Sequence, residues 1–423
     1  MASTFAVPLI LIFVLTTSTC DGVRLANYIP TLQEYPAGRD DLIESYFHLG
    51  LEYTEILLFL VFSHGINLSL RQLKRILKAK GLGQRRNASD LREVVQAVEE
   101  ELRGSGSNIG YRQMTQRLVN DHRLVVGKET VRELLNILDP EGVEIRARHR
   151  LKRRQYITKG SNHLLHIDGY DKLKPFGFCI HGAIDGFSRR ILWLDVGYTN
   201  NDPTVITQYF VDCVRQLGGT ARVIRADCGT ENGYVVAVQR FIRRDGEANW
   251  EGDDSSIYRK SVSNQRIEAW WSILGKDCTR WWIDFFKDMR SCGLYHDDDC
   301  IEVECLKFCY MPILRDELHR AARLWNLHRI RPSTNVESPS GRPDVLFFLP
   351  EVSGARNYMV DVDLDELDLA EERCCYRPPQ SGCSDEFTQL AEIIMREKNL
   401  QFPRTPEEAT TLYVTLLEEI DKI

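Results

Sequence analysis

Apolar residues recur at helical spacing over residues 53–82, where the chain reads YTEILLFLVFSHGINLSLRQLKRILKAKGL. The pattern predicts an apolar helix, a turn at Gly65, an N-cap at Ser69 and a second helix with one apolar side. The other side of that second helix carries the basic residues Arg71, Lys74, Arg75 and Lys78. We therefore predict a helix-turn-helix unit over residues 40–88 whose second helix offers cations to a nucleic-acid backbone, although a plain helical hairpin with a solvated basic side gives the same pattern.

A similar alternation returns over residues 89–145, with apolar positions at Met114, Leu118, Val131 and Leu135. It predicts a second helix-turn-helix unit, in which Lys128 and Arg132 are candidate DNA contacts. The stretch GSGS between its helices is typical of a linker. Residues 146–160 form a basic linker that contains RARHRLKRR, which is interpreted as a nuclear-import signal, a nucleic-acid clamp or a solvated linker.

The periodicity changes at about residue 162 from helices to strands. The apolar runs NHLLHID, FGFCIHGAID and RRILWLDV are followed by a helix at about 203–217, the short strand ARVIRAD and a helix at about 232–244. This order predicts an α/β core over residues 161–285, built on a mixed sheet with flanking helices. Beyond it we predict a helical extension (286–350), an acidic linker (351–383) and a small helical C-terminal region (384–423).

Acidic residues stand at the ends of the predicted strands. Asp185 precedes Gly186 between two apolar runs, which is typical of a tight hairpin turn and predicts a structural role. Asp168 and Asp227 each close a strand, and Glu268 lies beside the apolar stripe of a helix. Taken singly, each of these three acids is better explained by a structural role, such as a surface salt bridge, than by a cleft-facing ligand.

Length and charge narrow the class of protein. A chain of 423 residues is expected to form two to four domains. The net charge of −7 conceals a basic front half, since residues 21–160 carry 23 Lys and Arg against 18 Asp and Glu. A basic module on an acidic protein favours a polyanionic partner for that module.

The first 20 residues, MASTFAVPLILIFVLTTSTC, are uncharged and apolar. Their length is typical of a secretory signal peptide rather than of a membrane-spanning helix, although they lack a basic start. The basic run at 146–154 favours the nucleus instead, so secretory routing is kept as the alternative, and no membrane partner is expected. The twelve cysteines form no CxxC pair, and Cys300, Cys305 and Cys309 near His296 are better explained by a helix than by a metal cluster.

Four stretches, taken together, resemble one known family: HIDGYDKL, AIDGFSRRILWL, RADCGTENG and VSNQRIEAWWSILGK. They resemble, in order and separation, the integrase core of retroviral integrases and related DDE transposases, which has a ribonuclease H-like fold. The N-terminal units resemble those of bacterial insertion-sequence transposases. One departure is Cys228, which replaces the polar residue that usually follows the second aspartate.

The resemblance implies a DNA-cleaving and DNA-joining polynucleotidyl transferase. Asp168, Asp227 and Glu268 would then be its catalytic triad and its ligands for two Mg²⁺ or Mn²⁺ ions, while Asp185 would be non-catalytic. DNA would be the partner of a homo-oligomer. Further DNA contacts are expected at Lys260, Arg266 and Lys276, which lie near the predicted helix that carries Glu268. The alternative is a domesticated, non-catalytic DNA-binding or regulatory protein derived from a transposase.

Overall fold

The computed structural model describes residues 38–82, 88–147, 158–227, 229–244, 256–258, 264–332 and 339–422. The signal-like segment 1–20, most of the basic run at 146–154, Cys228 and Lys260 lie outside these ranges. Among the helices so described, none combines the length and the apolar character needed to cross a membrane.

The first helical unit consists of three helices rather than two: α1 (Arg39–His48), α2 (Tyr53–His64) and α3 (Leu70–Ala79). Ser69 caps α3 as predicted, because its hydroxyl accepts from the backbone N–H of Gln72 while the Gln72 side chain accepts from the backbone N–H of Ser69. Gly65 ends α2 with a positive φ of 64°. The buried residues of all three helices form one apolar cluster.

The second unit contains α4 (Leu91–Arg103), α5 (Tyr111–Asn120), α6 (Lys128–Leu138) and α7 (Pro140–Ala147). The GSGS stretch is not the predicted linker. It lies mostly in a 3-10 turn, Ser105–Asn108, in which Ser105 and Gly106 are buried. A Cβ at Gly106 would lie 2.5 Å from the carbonyl oxygen of Glu101, so glycine is required here by a close packing contact and not by flexibility.

The α/β core contains the predicted mixed sheet. Its five strands are β1 (Leu164–Tyr170), β2 (Cys179–Asp185), β3 (Ile191–Gly197), β5 (Val223–Ala226) and β6 (Ser256–Tyr258), in the order β3-β2-β1-β5-β6. Strands β1, β2 and β3 are antiparallel neighbours, whereas β5 runs parallel to both β1 and β6. A second, two-stranded sheet pairs β4 (Gly219–Thr220) with β7 (Val360–Asp361).

Helices cover both sides of the five-stranded sheet. One apolar cluster packs α8 (Pro203–Leu217) and α9 (Gly233–Phe241) against one side, and α14 (Leu364–Cys374) packs onto these two helices. The other cluster packs α10 (Gln265–Leu274) and α12 (Cys300–Leu327) against the opposite side. The same cluster includes α11 (Arg280–Ser291), α15 (Asp385–Glu397) and α16 (Pro406–Ile420), of which α16 packs on α12. A π-helical turn, Gly275–Thr279, joins α10 to α11.

The predicted acidic linker, residues 351–383, is corrected by the structure. It contains β7 and α14, and Leu367 and Ala370 of α14 are buried in the apolar cluster formed with α8 and α9. The acidic residues occupy the outer side of this helix, so a charge-rich stretch conceals a narrow apolar stripe. Such a stripe is enough to dock a helix when a complementary surface exists.

Both helical units pack onto the core. The first contacts α13 (Pro343–Phe348), whose Val345 lies within its apolar cluster. The second is joined to α12 by buried charges: Glu101 pairs with Arg117 at 2.7 Å and also with Arg320. Arg117 further donates to the backbone oxygen of Asp277 in the π-helical turn at 3.1 Å. The second unit is therefore fixed next to the helix that carries Glu268.

Replacing Arg117 by Met tests this attachment. Arg117 and Glu101 are only 4% and 6% exposed, and removing one partner of a buried pair costs about 3–5 kcal/mol of unfolding free energy. Burial raises the pKa of Glu101, but the charges of Arg117 and Arg320 outweigh burial and bring it to about 2. The ion pairs of the Glu101 carboxylate therefore contribute fully to the free energy of unfolding above pH 4.5, and this contribution is lost as the pH falls toward 2.

We expect Arg117→Met to be destabilised most at neutral pH and to approach the wild type below pH 3, in urea unfolding at several pH values. The control is Arg132→Met, because Arg132 pairs with Glu129 on the exposed surface, where a pair contributes about 1 kcal/mol or less. Equal losses in the two variants would contradict the buried network.

Candidate functional site

Asp168 and Asp227 lie side by side on neighbouring strands. Strands β1 and β5 are parallel, with His166 beside Arg225. Continuing this register by two residues places Asp168 beside Asp227, which follows directly after β5. Residues in register point to the same side of a sheet. Here that side is covered by α10, which bears Glu268.

Helix α10 is fastened to β1 by two side chains. Asn264, the residue before the helix, donates to the backbone oxygen of Ile167 at 2.8 Å and contacts Nδ1 of His166 at 2.7 Å. Trp271 donates from Nε1 to Oδ2 of Asp168 at 2.8 Å. Glu268 lies between these two attachments, on an exposed part of the helix.

The electrostatics show that the three carboxylates are close enough to interact. Burial raises the pKa of Asp168 to about 7, and the negative charges of Asp227 and Glu268 add to this rise, while the hydrogen bond from Trp271 opposes it. Burial and the charge of Glu231 also raise the pKa of Asp227. Grouping these acids therefore costs free energy that a proton or a cation would offset.

The donor set fits a divalent cation in part. Carboxylate oxygens are the ligands that Mg²⁺ and Mn²⁺ prefer, and the buried Oδ1 of Asp227 has no hydrogen-bond partner among the described residues. Within the same part of the chain, however, no three His, Cys, Asp or Glu side chains are grouped closely enough to form a complete metal site. The structure thus pairs Asp168 with Asp227 and leaves Glu268 nearby on its helix.

Three further residues shape this site and were not singled out from the sequence. His166 is fully buried two positions before Asp168, and burial brings its pKa to about 3. Trp271 was assigned only to an apolar stripe. Gly182 lies directly opposite Asp168 on β2. The one sequence signal for Gly182 is a glycine inside an otherwise apolar strand, which often marks a close approach.

The predicted DNA contacts among the described residues lie on α3, on α6, on α10 and in the π-helical turn after it. Exposed basic side chains occur on α3 at Arg71, Lys74, Arg75 and Lys78, on α6 at Lys128 and Arg132, and at Lys276 after α10. Arg132 pairs with Glu129 at 2.8 Å. Arg266 is partly buried and donates to the backbone oxygen of Gly186 at 3.1 Å. Lys260 lies outside the described residues.

Asp185 has a structural environment. It is buried at the end of β2 and accepts from the backbone N–H groups of Asn162, Phe187 and Ser188 and from the hydroxyl of Ser188, at 2.7–3.1 Å. The connection to β3 is not the expected two-residue turn but spans residues 186–190, with Arg189 at a φ of 65°. The carboxylate replaces the backbone pairing that a tighter turn would supply.

The cysteines near His296 differ in how deeply they are buried. Cys305 and Cys309 are fully buried in the core, whereas Cys300 is exposed at the start of α12. His296 is exposed and bonds to Glu302 at 3.0 Å. These residues lie on one helix and its preceding loop, as the helical interpretation expected.

Residues 155–341 match the family model described as an integrase core domain. The matched range continues beyond residue 285, where the sequence pattern had ended the core, and includes α12. No curated protein matches the chain.

Replacing Asp185 by Asn should destabilise the fold without affecting the paired acids. Both carboxylate oxygens face N–H or O–H donors, so either orientation of the amide directs its NH₂ group at a donor. A buried donor left without an acceptor costs about 1–3 kcal/mol. We expect a loss of this size in urea unfolding, against little change for the exposed Asp284→Asn control. A stability equal to that of the wild type would contradict the assigned role.

Proposed function

Because the chain is an integrase core family protein, we propose that it is a DNA-binding polynucleotidyl transferase of the integrase and DDE transposase type. It would cleave and join DNA strands by divalent-metal-assisted phosphoryl transfer. Asp168, Asp227 and Glu268 are the proposed catalytic and metal-binding residues.

The strand order supports a ribonuclease H-like core. Three antiparallel strands are extended by two parallel ones, and helices pack on both sides. In this arrangement β1 is central, and the ends of β1 and β5 bring acidic residues to one position on the sheet. Fold alone does not establish activity, so the proposal depends on the site.

The observation that carries the proposal is the register of β1 and β5. It sets Asp168 beside Asp227, with Glu268 near enough for its charge to raise the pKa of Asp168. A structural role does not require two acids side by side with a third nearby, since each acid could pair with a base elsewhere. Their grouping is costly without a cation and useful with one.

Asp168 and Asp227 would hold the cations from the sheet and Glu268 from the helix. When bound, two such ions activate the attacking oxygen and stabilise the leaving oxygen in an in-line displacement at a phosphodiester. The carboxylates keep this environment anionic and fix the positions of the ligands. No covalent protein nucleophile is needed, because water attacks for cleavage and a DNA 3′-hydroxyl attacks for strand transfer.

The basic side of α3 and the cations around α10 are proposed to bind the DNA backbone. The exposed positions of Arg71, Lys74, Arg75 and Lys78 support this, since cations on one side of a helix meet successive phosphates. A homo-oligomer acting on DNA in the nucleus completes the proposal. The family resemblance supports the homo-oligomer, and the basic run at 146–154 supports the nucleus.

Asp168→Asn and Glu268→Gln test the chemistry. A neutral amide holds a divalent cation poorly, so each variant should lose strand transfer while DNA binding changes little. The measurement is a strand-transfer assay in Mg²⁺ or Mn²⁺ on DNA ends that carry candidate terminal repeats, with DNA affinity measured in parallel. Asp284→Asn is the control, because Asp284 is an exposed acid on α11.

Undiminished joining by either variant would refute the assignment of the triad. A wild-type protein that binds DNA but neither cleaves nor joins it in either metal would favour the alternative, a domesticated DNA-binding protein. This alternative agrees with one observation: among the described residues, no three His, Cys, Asp or Glu side chains form a complete metal site.

Arg71→Gln combined with Arg75→Gln tests the DNA contact of α3. Each neutralised phosphate contact should reduce the slope of log affinity against log salt by about one unit. We expect a reduction of about two in fluorescence-anisotropy titrations at several KCl concentrations. Arg396→Gln on α15 is the control, and an unchanged slope in the double variant would assign DNA binding to another surface.

A further inference from the structure

We infer that Trp271 is a positioning residue for the carboxylate of Asp168, and that residue 182 is glycine because the Trp271 ring must pass over it. The inference rests on the proposed function, since it assigns the two residues to the orientation of a divalent-cation ligand. It concerns only contacts within this chain.

The indole fixes one oxygen of the carboxylate. Trp271 Nε1 donates to Oδ2 of Asp168 at 2.8 Å, and Trp271 is 7% exposed, so water competes weakly for this bond. An indole N–H is a donor only and therefore favours the ionised form of its partner. With Oδ2 held, the carboxylate has a fixed orientation relative to α10.

Gly182 makes room for this contact. It pairs directly with Asp168 across β1 and β2, and a Cβ at this position would lie 2.9 Å from Cη2 of Trp271. A glycine inside a buried strand weakens the strand. Its presence is explained by the ring above it, because any larger residue would displace the ring from Asp168.

The same bond links two members of the proposed triad. Trp271 lies three residues after Glu268, so the two side chains leave neighbouring positions of α10. The bond to Asp168 therefore sets the position of the helix that bears Glu268 relative to β1. Tyr170 supports the arrangement: its ring lies 5.2 Å from that of Trp271, and its hydroxyl bonds to Oγ1 of Thr279 at 2.9 Å.

The chain provides a matched control one residue away. Trp270 is 3% exposed on the same helix, but its Nε1 has no hydrogen-bond partner among the described residues. Trp270→Phe and Trp271→Phe remove the same atoms from the same buried helix. Only the second removes a hydrogen bond to a proposed ligand.

The experiment measures Mn²⁺ binding by the full-length protein, from the electron paramagnetic resonance signal of free Mn²⁺. Loss of a hydrogen bond that orients a metal ligand typically weakens metal affinity about 10- to 100-fold. We expect this loss for Trp271→Phe and, independently, for Gly182→Ala, and a near wild-type affinity for Trp270→Phe. Thermal melting of each variant reports whether it is folded, and Trp271→Phe should melt somewhat below Trp270→Phe because it leaves the carboxylate of Asp168 without its indole donor.

The outcomes separate the inference from the proposed function. Equal Mn²⁺ affinity in Trp271→Phe and Trp270→Phe, with wild-type binding that depends on Asp168, overturns the positioning role and leaves the proposed function standing. Wild-type binding that is absent, or unchanged by Asp168→Asn, overturns the proposed metal site and the inference with it. The inference is supported if Mn²⁺ binding is weaker in Trp271→Phe and in Gly182→Ala but not in Trp270→Phe.

Discussion

Strand β1 runs parallel to β5, and their register sets Asp168 next to Asp227 at one strand spacing. The charge of Asp227 adds to the rise that burial produces in the pKa of Asp168, which reports repulsion between the two carboxylates. A third carboxylate, Glu268, adds to this repulsion. The backbone hydrogen bonds of the central strands hold the acids together against this repulsion.

The position of α10 decides how the third acid meets the other two. Asn264 does not cap its own helix; its side chain bonds to the backbone of β1 and to His166 instead. Trp271 makes the second attachment, to Asp168 itself. The helix is thus aligned by polar contacts to the same strand that carries the first acid. A shift of α10 would alter the carboxylate pair and Glu268 together.

Helix α12 covers one edge of the five-stranded sheet. Strand β3 is an edge strand, and α12 covers it with side chains that satisfy its backbone. Asn326 exchanges two hydrogen bonds with Ile191, at 2.7 and 2.9 Å, and Arg315 donates to the backbone oxygen of Val196 at 2.9 Å. An uncovered edge would pair with other chains. The family match also includes α12, well past the last proposed catalytic residue.

The sequence by itself determined the local elements and the identity of the acids. Ser69 as a helix cap, the strands that end near Asp168 and Asp227, and the helix around Glu268 all follow from short-range periodicity and capping chemistry. Only the tertiary structure decided which residues meet: the register that pairs Asp168 with Asp227, the Trp271 bond over Gly182, and the burial of the GSGS turn and of α14, both expected as linkers. Periodicity reports which side of an element is apolar. These contacts instead join residues far apart in the chain, such as Trp271 and Asp168, which are 103 positions apart, and no local pattern specifies where such partners lie.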